Sequence, residues 1–303
     1  MFLSSGSRGC CLLLSISLLG CVSPPGAPLS RAPASASIPP RVTPQGPPPE
    51  VVAESALVVD AVTGRILAGK NVDLRRAVAS TQKLLTALLV VEAGPLSDEV
   101  TIEASDTQVE PTKLYLRPGD TYTRGTLLKV ILVRSANDAS LALARDVAGS
   151  VEAFSARMNE RARSLGMRNS NFRNPHGLTE EGQFSTARDM VKLARVAYQR
   201  SAIRAPMTWP EYVFVHNDGK EHKLVNTNKL LKRLPYATGM KTGTTRASGK
   251  CLVASASLRG RTAIAVVLGS TPSAVWSDAE KLLRWALETS QPPGRPADSP
   301  ALP

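Results

Sequence analysis

The chain has 303 residues, of which 43% are hydrophobic and only 4% aromatic, so it can bury the core of one large domain or of two small ones. Its formal net charge of +12 favours contact with anionic envelope polymers or lipid headgroups. The cations are spread along the whole chain and few aromatic rings are available for base stacking, which argues against nucleic acid as a partner.

The first twenty residues have the plan of a secretory signal. One cation, Arg8, precedes an apolar run that is too short to cross a bilayer as a mature helix. The letters LLGC, which end at Cys21, resemble the cleavage box of bacterial lipoproteins. That resemblance implies an acylated Cys21 and an exported protein held by lipid on the periplasmic side of the cell envelope. An ordinary secretory signal or an uncleaved anchor is the alternative.

The segment after Cys21 is predicted to be a tether. Residues 22 to 49 hold ten prolines and no sustained hydrophobic period, so residues 21 to 50 favour an extended spacer. Residues 292 to 303 have the same loose composition and are expected to be disordered. Residues 51 to 291 are predicted to form one compact domain.

The cysteines do not form a disulfide framework. Three of them lie in or at the end of the signal, which leaves Cys251 alone in the body of the chain. Cys251 begins the apolar run CLVASAS, so a buried core thiol is predicted there rather than a nucleophile.

Strands are predicted at both ends of the domain and helices between them. The N-terminal run turns around Thr63 and Gly64, a hairpin signal, and a second hairpin is predicted to turn at Asp218 and Gly219. The middle of the chain has the periodicity of helices, and from Tyr236 onward the chain returns to strands before a last helix. This order predicts an α/β (α+β) fold in which both ends build one antiparallel sheet, with flanking helices and an inserted, mainly helical subdomain.

Three short motifs carry the candidate chemistry. In ASTQKLLTALLVVEAG the apolar helix pattern contains a lysine, Lys83, three residues after Ser80, so a helix that starts at Ser80 places both on one face. Ser135-Ala-Asn137 lies between two predicted helices, and Lys241-Thr242-Gly243 lies in a predicted strand.

These motifs, in this order, resemble the active site of the penicillin-binding proteins and serine β-lactamases. Segments such as MNERARSLGMRNSNFRNPHGL, NTNKLL and MKTGTTRASGK extend the resemblance to the D-alanyl-D-alanine carboxypeptidase and endopeptidase family, the low-molecular-mass penicillin-binding proteins. The resemblance covers nearly all of residues 54 to 290 and implies the fold of that family. Two departures are Thr244-Thr245, where the family often has an aromatic residue or histidine first, and the lack of the C-terminal β domain of some members.

Elementary chemistry explains why a serine needs this lysine. A hydroxyl is a weak nucleophile unless a base takes its proton, and an amine is such a base only when it is uncharged. Burial and the second cation at Lys241 both lower the pKa of Lys83. A helix N-terminus at Ser80 would add a backbone N–H and a positive dipole end for the oxyanion.

The resemblance assigns the remaining roles. Ser135 would pass a proton to the leaving amine, Asn137 would hold the substrate amide or Lys83, and Lys241 with Thr242 would face the terminal carboxylate of the substrate. Gly243 would leave room for substrate, and Thr244 would give the second oxyanion N–H. The implied substrates are peptidoglycan stem peptides, with β-lactams as covalent inhibitors and with neither cofactor nor metal. Carboxypeptidase and endopeptidase activities stay open, with the missing C-terminal domain favouring endopeptidase.

Each motif also has a structural alternative. Ser135, Asn137 and Asp138 could cap the helix that follows, Lys241-Thr242-Gly243 could be a hairpin turn, and Lys83 could be a residue at the edge of the core whose amine reaches solvent. Among enzymes, a β-lactamase is the nearest rival, but the ExxLN pattern of class A is not found and Glu110 precedes Ser135. A catalytically silent peptidoglycan-binding protein is the rival from another class, although binding alone does not need the nucleophile.

The three histidines do not suggest a rival mechanism. No G-x-S-x-G elbow accompanies them. His176 is predicted to structure a loop near the cleft, and His216 and His222 to be a solvated pair rather than a metal site. Thr186 and Asp189 fit a capping-box start to the next helix.

Overall fold

A computed structural model describes residues 41 to 290 of the chain. At its centre is a five-stranded antiparallel sheet with the strand order β2-β1-β9-β8-β7. The first two strands come from the start of the domain and the other three from its end, as the sequence predicts. The bounds of the five strands are β1 Ser55–Asp60, β2 Ile66–Lys70, β7 Ala237–Thr245, β8 Gly249–Leu258 and β9 Arg261–Ser270.

The sheet is covered on both faces, which explains why its central strands are continuous apolar runs rather than alternating ones. All six residues of β1 are buried. The last helix, α8 (Ala274–Glu288), packs Leu283 and Ala286 on one face against Val58 and Val267. Helices of the middle region cover the other face, in the larger of two hydrophobic clusters.

The inserted region is mainly helical, as predicted. A small two-stranded sheet and a separate hairpin accompany its helices. The bounds are α1 Lys83–Ala93, β3 Glu99–Thr101, β4 Thr121–Thr123, α2 Arg124–Val133, α3 Asn137–Ala148, α4 Val151–Ser164, α5 Ala187–Gln199, α6 Ser201–Thr208, β5 Glu211–Val215, β6 Glu221–Val225 and α7 Leu230–Arg233.

Side-chain caps define where several helices begin. The hydroxyl of Thr123 accepts a hydrogen bond from the backbone N–H of Thr126 at the start of α2, and Thr186 accepts one from Asp189 at the start of α5. The predicted cap at Thr186 is therefore confirmed. The other half of the predicted capping box is not formed, since the Asp189 carboxylate accepts hydrogen bonds from Asn169 N–H and Ser170 Oγ instead.

Helix α1 is the buried centre of the helical region. Leu84, Leu85 and Leu88 are each 0% exposed, which confirms the burial on most sides that the apolar pattern predicts. The α-helix begins at Lys83 and not at Ser80, because residues Ala79–Gln82 form a 3₁₀ turn that leads into it.

The domain begins earlier than the composition predicts, so the predicted tether is too long at its C-terminal end. Val42 is 0% exposed and its N–H donates to the Asp60 carboxylate at 2.8 Å. The carbonyl oxygen of Gly46 accepts a hydrogen bond from the indole of Trp285 on α8. Prolines do not prevent this packing, since a short extended segment needs only a few side chains to anchor it.

The predicted signal, Cys21, most of the tether and the predicted tail lie outside the described residues. Between residues 41 and 290, no helix combines the length and the apolar character that crossing a membrane requires.

Candidate active site

The predicted contact between Ser80 and Lys83 is confirmed. Lys83 Nζ lies 2.9 Å from Ser80 Oγ. Side chains at positions i and i+3 eclipse each other in a 3₁₀ turn, so the turn at Ala79–Gln82 brings the hydroxyl over the first residue of α1. The contact between Ser80 and Lys83, expected from an α-helix, is therefore made by a 3₁₀ turn.

Lys83 is fully buried and is held by polar groups without a carboxylate. Its Nζ also donates to Asn137 Oδ1 at 2.7 Å and to the carbonyl oxygen of His176 at 2.6 Å. Burial lowers the pKa of Lys83 well below its usual value, and the nearby charge of Lys241 lowers it further, against a smaller opposite effect of Asp138. The amine is thus biased toward its uncharged form, and the alternative of an amine that reaches solvent is wrong.

The loop Asn174 to Leu178 closes the site from the other side. The carbonyl oxygen of His176 also accepts a hydrogen bond from Ser80 Oγ at 3.1 Å. The ring Nδ1 of His176 accepts a hydrogen bond from the N–H of Leu178, so His176 structures this loop as predicted. Burial and the charge of Lys83 lower the pKa of His176 to about 3, so the ring is neutral near pH 7.

Asn137 is held between Lys83 and the loop that contains Glu110. Its Nδ2 donates to the carbonyl oxygen of Glu110 at 2.8 Å, while its Oδ1 accepts from Lys83. The buried carboxylate of Asp138 accepts from the N–H groups of Leu114 and Leu116 and so holds the same loop. These two side chains therefore orient the loop and the amine together.

Ser135 faces the same site from the connection between α2 and α3. Its φ of 70° is the left-handed region that a serine seldom adopts, and it is 7% exposed. The N-cap of α3 is Ala136, which makes no side-chain cap. The alternative in which Ser135, Asn137 and Asp138 only cap α3 is therefore wrong.

Lys241, Thr242 and Gly243 lie inside strand β7, so the hairpin-turn alternative is wrong. Gly243 pairs with Cys251 of β8. Lys241 is fully buried, and burial lowers its pKa to about 7. Cys251 is 2% exposed and burial raises its pKa, which agrees with the predicted core thiol.

Two glycines let the backbone around Ser80 lie close to its neighbours. A Cβ on Gly243 would lie 2.9 Å from both the Ser80 nitrogen and the Val78 oxygen, inside van der Waals contact. A Cβ on Gly177 would collide with the backbone of Ala79, and its φ of 88° is the left-handed region. Strand β7 and the loop around Gly177 thus hold the segment that contains Ser80 between them.

A cleft of about 360 Å³ opens at Ser80, Ser135 and strand β7. The sequence does not assign Thr227 to the site, although it belongs to the quoted NTNKLL segment. Thr227 Oγ1 lies 2.7 Å from Thr242 Oγ1, so the two hydroxyls share a hydrogen bond. The lining includes Ser80, Ser135, Thr227, Thr242, Gly243 and Thr244.

The sequence also misses the carbonyl oxygens of His176 and Glu110, which hold Lys83 and Asn137. No residue type could have indicated them, because every residue has such an oxygen. Only the resemblance of NPHGL to a family segment marks one of these loops.

The arrangement suits acyl transfer to a serine. It provides a hydroxyl, an amine with a lowered pKa in contact with it, and a cleft where an acyl group can lie. In the described range 41 to 290, no group of three or more His, Cys, Asp or Glu side chains could hold a metal ion. The rings of His216 and His222 stack with their centroids 6.2 Å apart.

The fold matches solved penicillin-binding proteins and D,D-transpeptidases. A penicillin-binding protein homologue from Mycobacterium tuberculosis is 33% identical, covers 80% of this chain and 95% of its own, and has a TM-score of 0.76. The D,D-transpeptidase of Streptomyces K15 is 31% identical, covers 80% of this chain and 99% of its own, and has a TM-score of 0.75. The expected penicillin-binding-protein fold is thereby confirmed.

Residues 41 to 272 match the model of the D-alanyl-D-alanine carboxypeptidase family, peptidase family S11, and the chain belongs to that family. D-alanyl-D-alanine carboxypeptidase DacF of Bacillus subtilis is 39% identical over 77% of this chain and 62% of its own length. A D-alanyl-D-alanine endopeptidase of Escherichia coli is 32% identical over 80% of this chain and 79% of its own length. The chain spans about three fifths of the length of several curated carboxypeptidases that it matches.

Proposed function

We propose that this protein is a serine D,D-peptidase that hydrolyses D-alanine-containing peptide bonds of peptidoglycan through an acyl-enzyme at Ser80. The observation that carries the proposal is the hydrogen bond of 2.9 Å between Ser80 and a fully buried Lys83 whose pKa is lowered. Family membership supports the substrate class, since both carboxypeptidases and endopeptidases are among the relatives.

In the acylation step, Ser80 Oγ attacks the carbonyl carbon of the scissile bond and its proton passes to the uncharged Lys83 Nζ. The carbon–nitrogen bond then breaks and the leaving amine takes a proton, which Ser135 would relay from Lys83. The products are an ester on Ser80 and a free amine. In the second step, water attacks the ester, its proton passes to Lys83, and Ser80 Oγ takes a proton back.

Two backbone N–H groups would stabilise the oxyanion that forms in both steps, those of Ser80 and Thr244. The close approach of Gly243 to the Ser80 nitrogen supports this pairing, because it brings strand β7 against the nucleophile. The ammonium of Lys241 and the hydroxyl of Thr242 would bind the carboxylate of the substrate. The burial of Lys241 makes that attraction stronger than it would be in water.

Covalent labelling tests the proposal. A fluorescent penicillin should attach to the full-length protein and fail to attach to Ser80→Ala, because a β-lactam presents an amide that the same serine attacks. Ser164→Ala, which alters an exposed serine at the end of α4, is the matched control and should label as the wild type does. Equal labelling of wild type and Ser80→Ala would remove Ser80 from its role.

We also propose that the protein is exported and anchored by a lipid on Cys21 in the bacterial envelope, followed by a tether that ends near residue 40. Action on peptidoglycan requires an envelope location, and the LLGC letters support the lipid. Metabolic labelling with radioactive palmitate should mark the wild type and leave Cys21→Ser unmarked. Label that persists in Cys21→Ser would contradict the anchor.

A further inference from the structure

A second cleft of about 620 Å³ adjoins the candidate active site. Thr227 and Lys229 line both clefts, so the two are continuous. Its volume lies in the range of pockets that hold small organic ligands, about 300 to 1,000 Å³. We call it the basic cleft because of the side chains around it. Its lining includes the cations Arg134, Lys229, Lys232 and Arg233 and the apolar Val225 and Leu231.

The positive charge of the basic cleft is mostly uncompensated. Arg233 pairs with Glu280 at 2.9 Å. Arg134, Lys229 and Lys232 make no ion pair with any residue between 41 and 290. The lining contains no acidic side chain. Three like charges around one concave surface favour an anionic ligand.

The wall of the basic cleft is a fixed structure rather than a loose loop. The buried Asn226 donates through Nδ2 to the carbonyl oxygen of Trp209 at 2.9 Å. Its Oδ1 accepts from the N–H of Asn228, whose own Oδ1 accepts from Leu230. Asn228 is 2% exposed and its Nδ2 has no partner in the described part of the chain, so one buried donor is unused.

The contacts of the basic cleft with the candidate active site indicate on which side of the scissile bond it lies. Thr227 contacts Thr242, which would bind the terminal carboxylate of a substrate, and Arg134 directly precedes Ser135. The basic cleft therefore continues from the carboxylate side of the scissile bond, where the leaving group lies. A substrate that ends at D-alanine would occupy only the part of the basic cleft that Thr227 and Lys229 share with the site, whereas a leaving group that continues into a second peptide would extend toward Arg134 and Lys232.

We propose that the basic cleft binds a carboxylate-bearing part of the leaving strand, so that cross-linked peptides are the preferred substrate. This inference rests on the proposed function, because it uses the same scissile bond. Free carboxylates are the anionic groups of peptides, and the aliphatic side chains of Val225 and Leu231 offer surface for the apolar parts of the strand. The protein would then act as an endopeptidase in preference to a carboxypeptidase.

The test compares two substrates on the full-length protein, a pentapeptide monomer that ends in D-Ala-D-Ala and a cross-linked peptide dimer. The measured quantity is the ratio of kcat/KM for the dimer to kcat/KM for the monomer. In Arg134→Glu/Lys232→Glu we expect this ratio to fall at least tenfold, because two attractive charges become repulsive. Lys281→Glu, at an exposed position on α8, is the charge-matched control and should leave the ratio unchanged.

Sodium chloride at 500 mM should lower the wild-type ratio relative to 50 mM, since exposed charges are screened. A wild type that cleaves only the monomer, or a ratio that the double variant leaves unchanged, would overturn the inference. Penicillin labelling distinguishes a failure of the basic-cleft inference from a failure of the proposed function. Normal labelling of Ser80 in both proteins with an unchanged ratio refutes the basic cleft alone, and no labelling of the wild type refutes the proposed function. Labelling of the double variant also shows that it is folded.

Discussion

The amine of Lys83 and the hydroxyl of Ser80 hydrogen-bond to each other and share one acceptor, the carbonyl oxygen of His176. A carbonyl oxygen only accepts, so each group points a hydrogen at it. When Lys83 loses its charge, its Nζ becomes an acceptor and the Ser80 hydroxyl can turn its hydrogen from the carbonyl to the amine. The geometry thus prepares proton transfer without moving a heavy atom.

The pH dependence of catalysis is expected to be bell-shaped. The value of kcat/KM reports the free enzyme, so it should rise as Lys83 loses its proton and fall as Lys241, with a pKa of about 7, loses the charge that attracts the carboxylate. The two limbs belong to the coupled pair rather than to single residues. Steady-state kinetics from pH 5 to 10 measure them, and a profile without a rising limb in that range would contradict the base role of Lys83.

His176 provides the control for this profile. Its ring has a pKa of about 3 and stays neutral across the range, so it should contribute neither limb. His176→Asn keeps the main-chain carbonyl and offers an oxygen to the Leu178 N–H. We expect both limbs at the wild-type pH, and the loss of either limb would assign it to the imidazole.

Two substitutions of Asn137 should shift the pKa of Lys83 in opposite directions. Asn137→Asp adds a negative charge at the position that lies 2.7 Å from Nζ, which favours the ammonium and moves the rising limb to higher pH. Asn137→Ala removes an acceptor of the ammonium and moves the limb to lower pH. Acylation at pH 7 should fall at least tenfold in Asn137→Asp. Limbs that move in the same direction in both variants would contradict the electrostatic account.

Lys241 is expected to decrease the stability of the fold. Its pKa is about 7 in the folded protein against an ordinary value of 10.5, so the unfolded chain binds more protons between these values. Stability should therefore rise as the pH increases from about 7 to 10, with the full cost of burial present below pH 7. Lys241→Met removes this cost and should raise the free energy of unfolding at pH 6 by at least about 1 kcal/mol.

Urea denaturation at pH 6 and pH 9 measures this effect, and kcat/KM should fall in the same variant because the carboxylate loses its cation. Lys281→Met, on the exposed side of α8, should change the free energy of unfolding by less than about 0.5 kcal/mol. A Lys241→Met protein that is less stable than the wild type at pH 6 would show that burial of this amine is compensated.

Gly243 is expected to tolerate no side chain. In Gly243→Ala the methyl group would press on the Ser80 nitrogen and Val78 oxygen, so strand β7 or the nucleophile segment must shift. We expect a loss of about 1 to 3 kcal/mol in stability and a fall of roughly a hundredfold in penicillin acylation, since positioning errors of about 1 Å have that effect. Gly219→Ala adds a Cβ that meets nothing within 4 Å but that is strained at a φ of 81°, so this variant should lose some stability and still keep the wild-type acylation rate. Equal acylation by Gly243→Ala would show that this contact does not position Ser80.

Local patterns in the sequence predicted much of the fold. Turn residues marked both hairpins, and strands at the two ends of the domain indicated the antiparallel sheet that the structure contains. These features depend on near neighbours in the chain. The tether prediction was too long because composition does not reveal that a side chain such as Val42 is buried by a distant strand.

The sequence by itself determined which residue types could react. Ser80 and Lys83 are three positions apart, so any tight helical turn brings them together, and the apolar letters after Lys83 already favoured a buried amine. Only the tertiary structure decided what surrounds them. The carbonyl of His176, 96 residues away from Ser80, the loop at Glu110 and the threonine pair at 227 and 242 meet there through packing of distant segments. Backbone oxygens and clefts have no signature in a sequence, because every residue has a carbonyl and a cleft exists only between elements that have already packed.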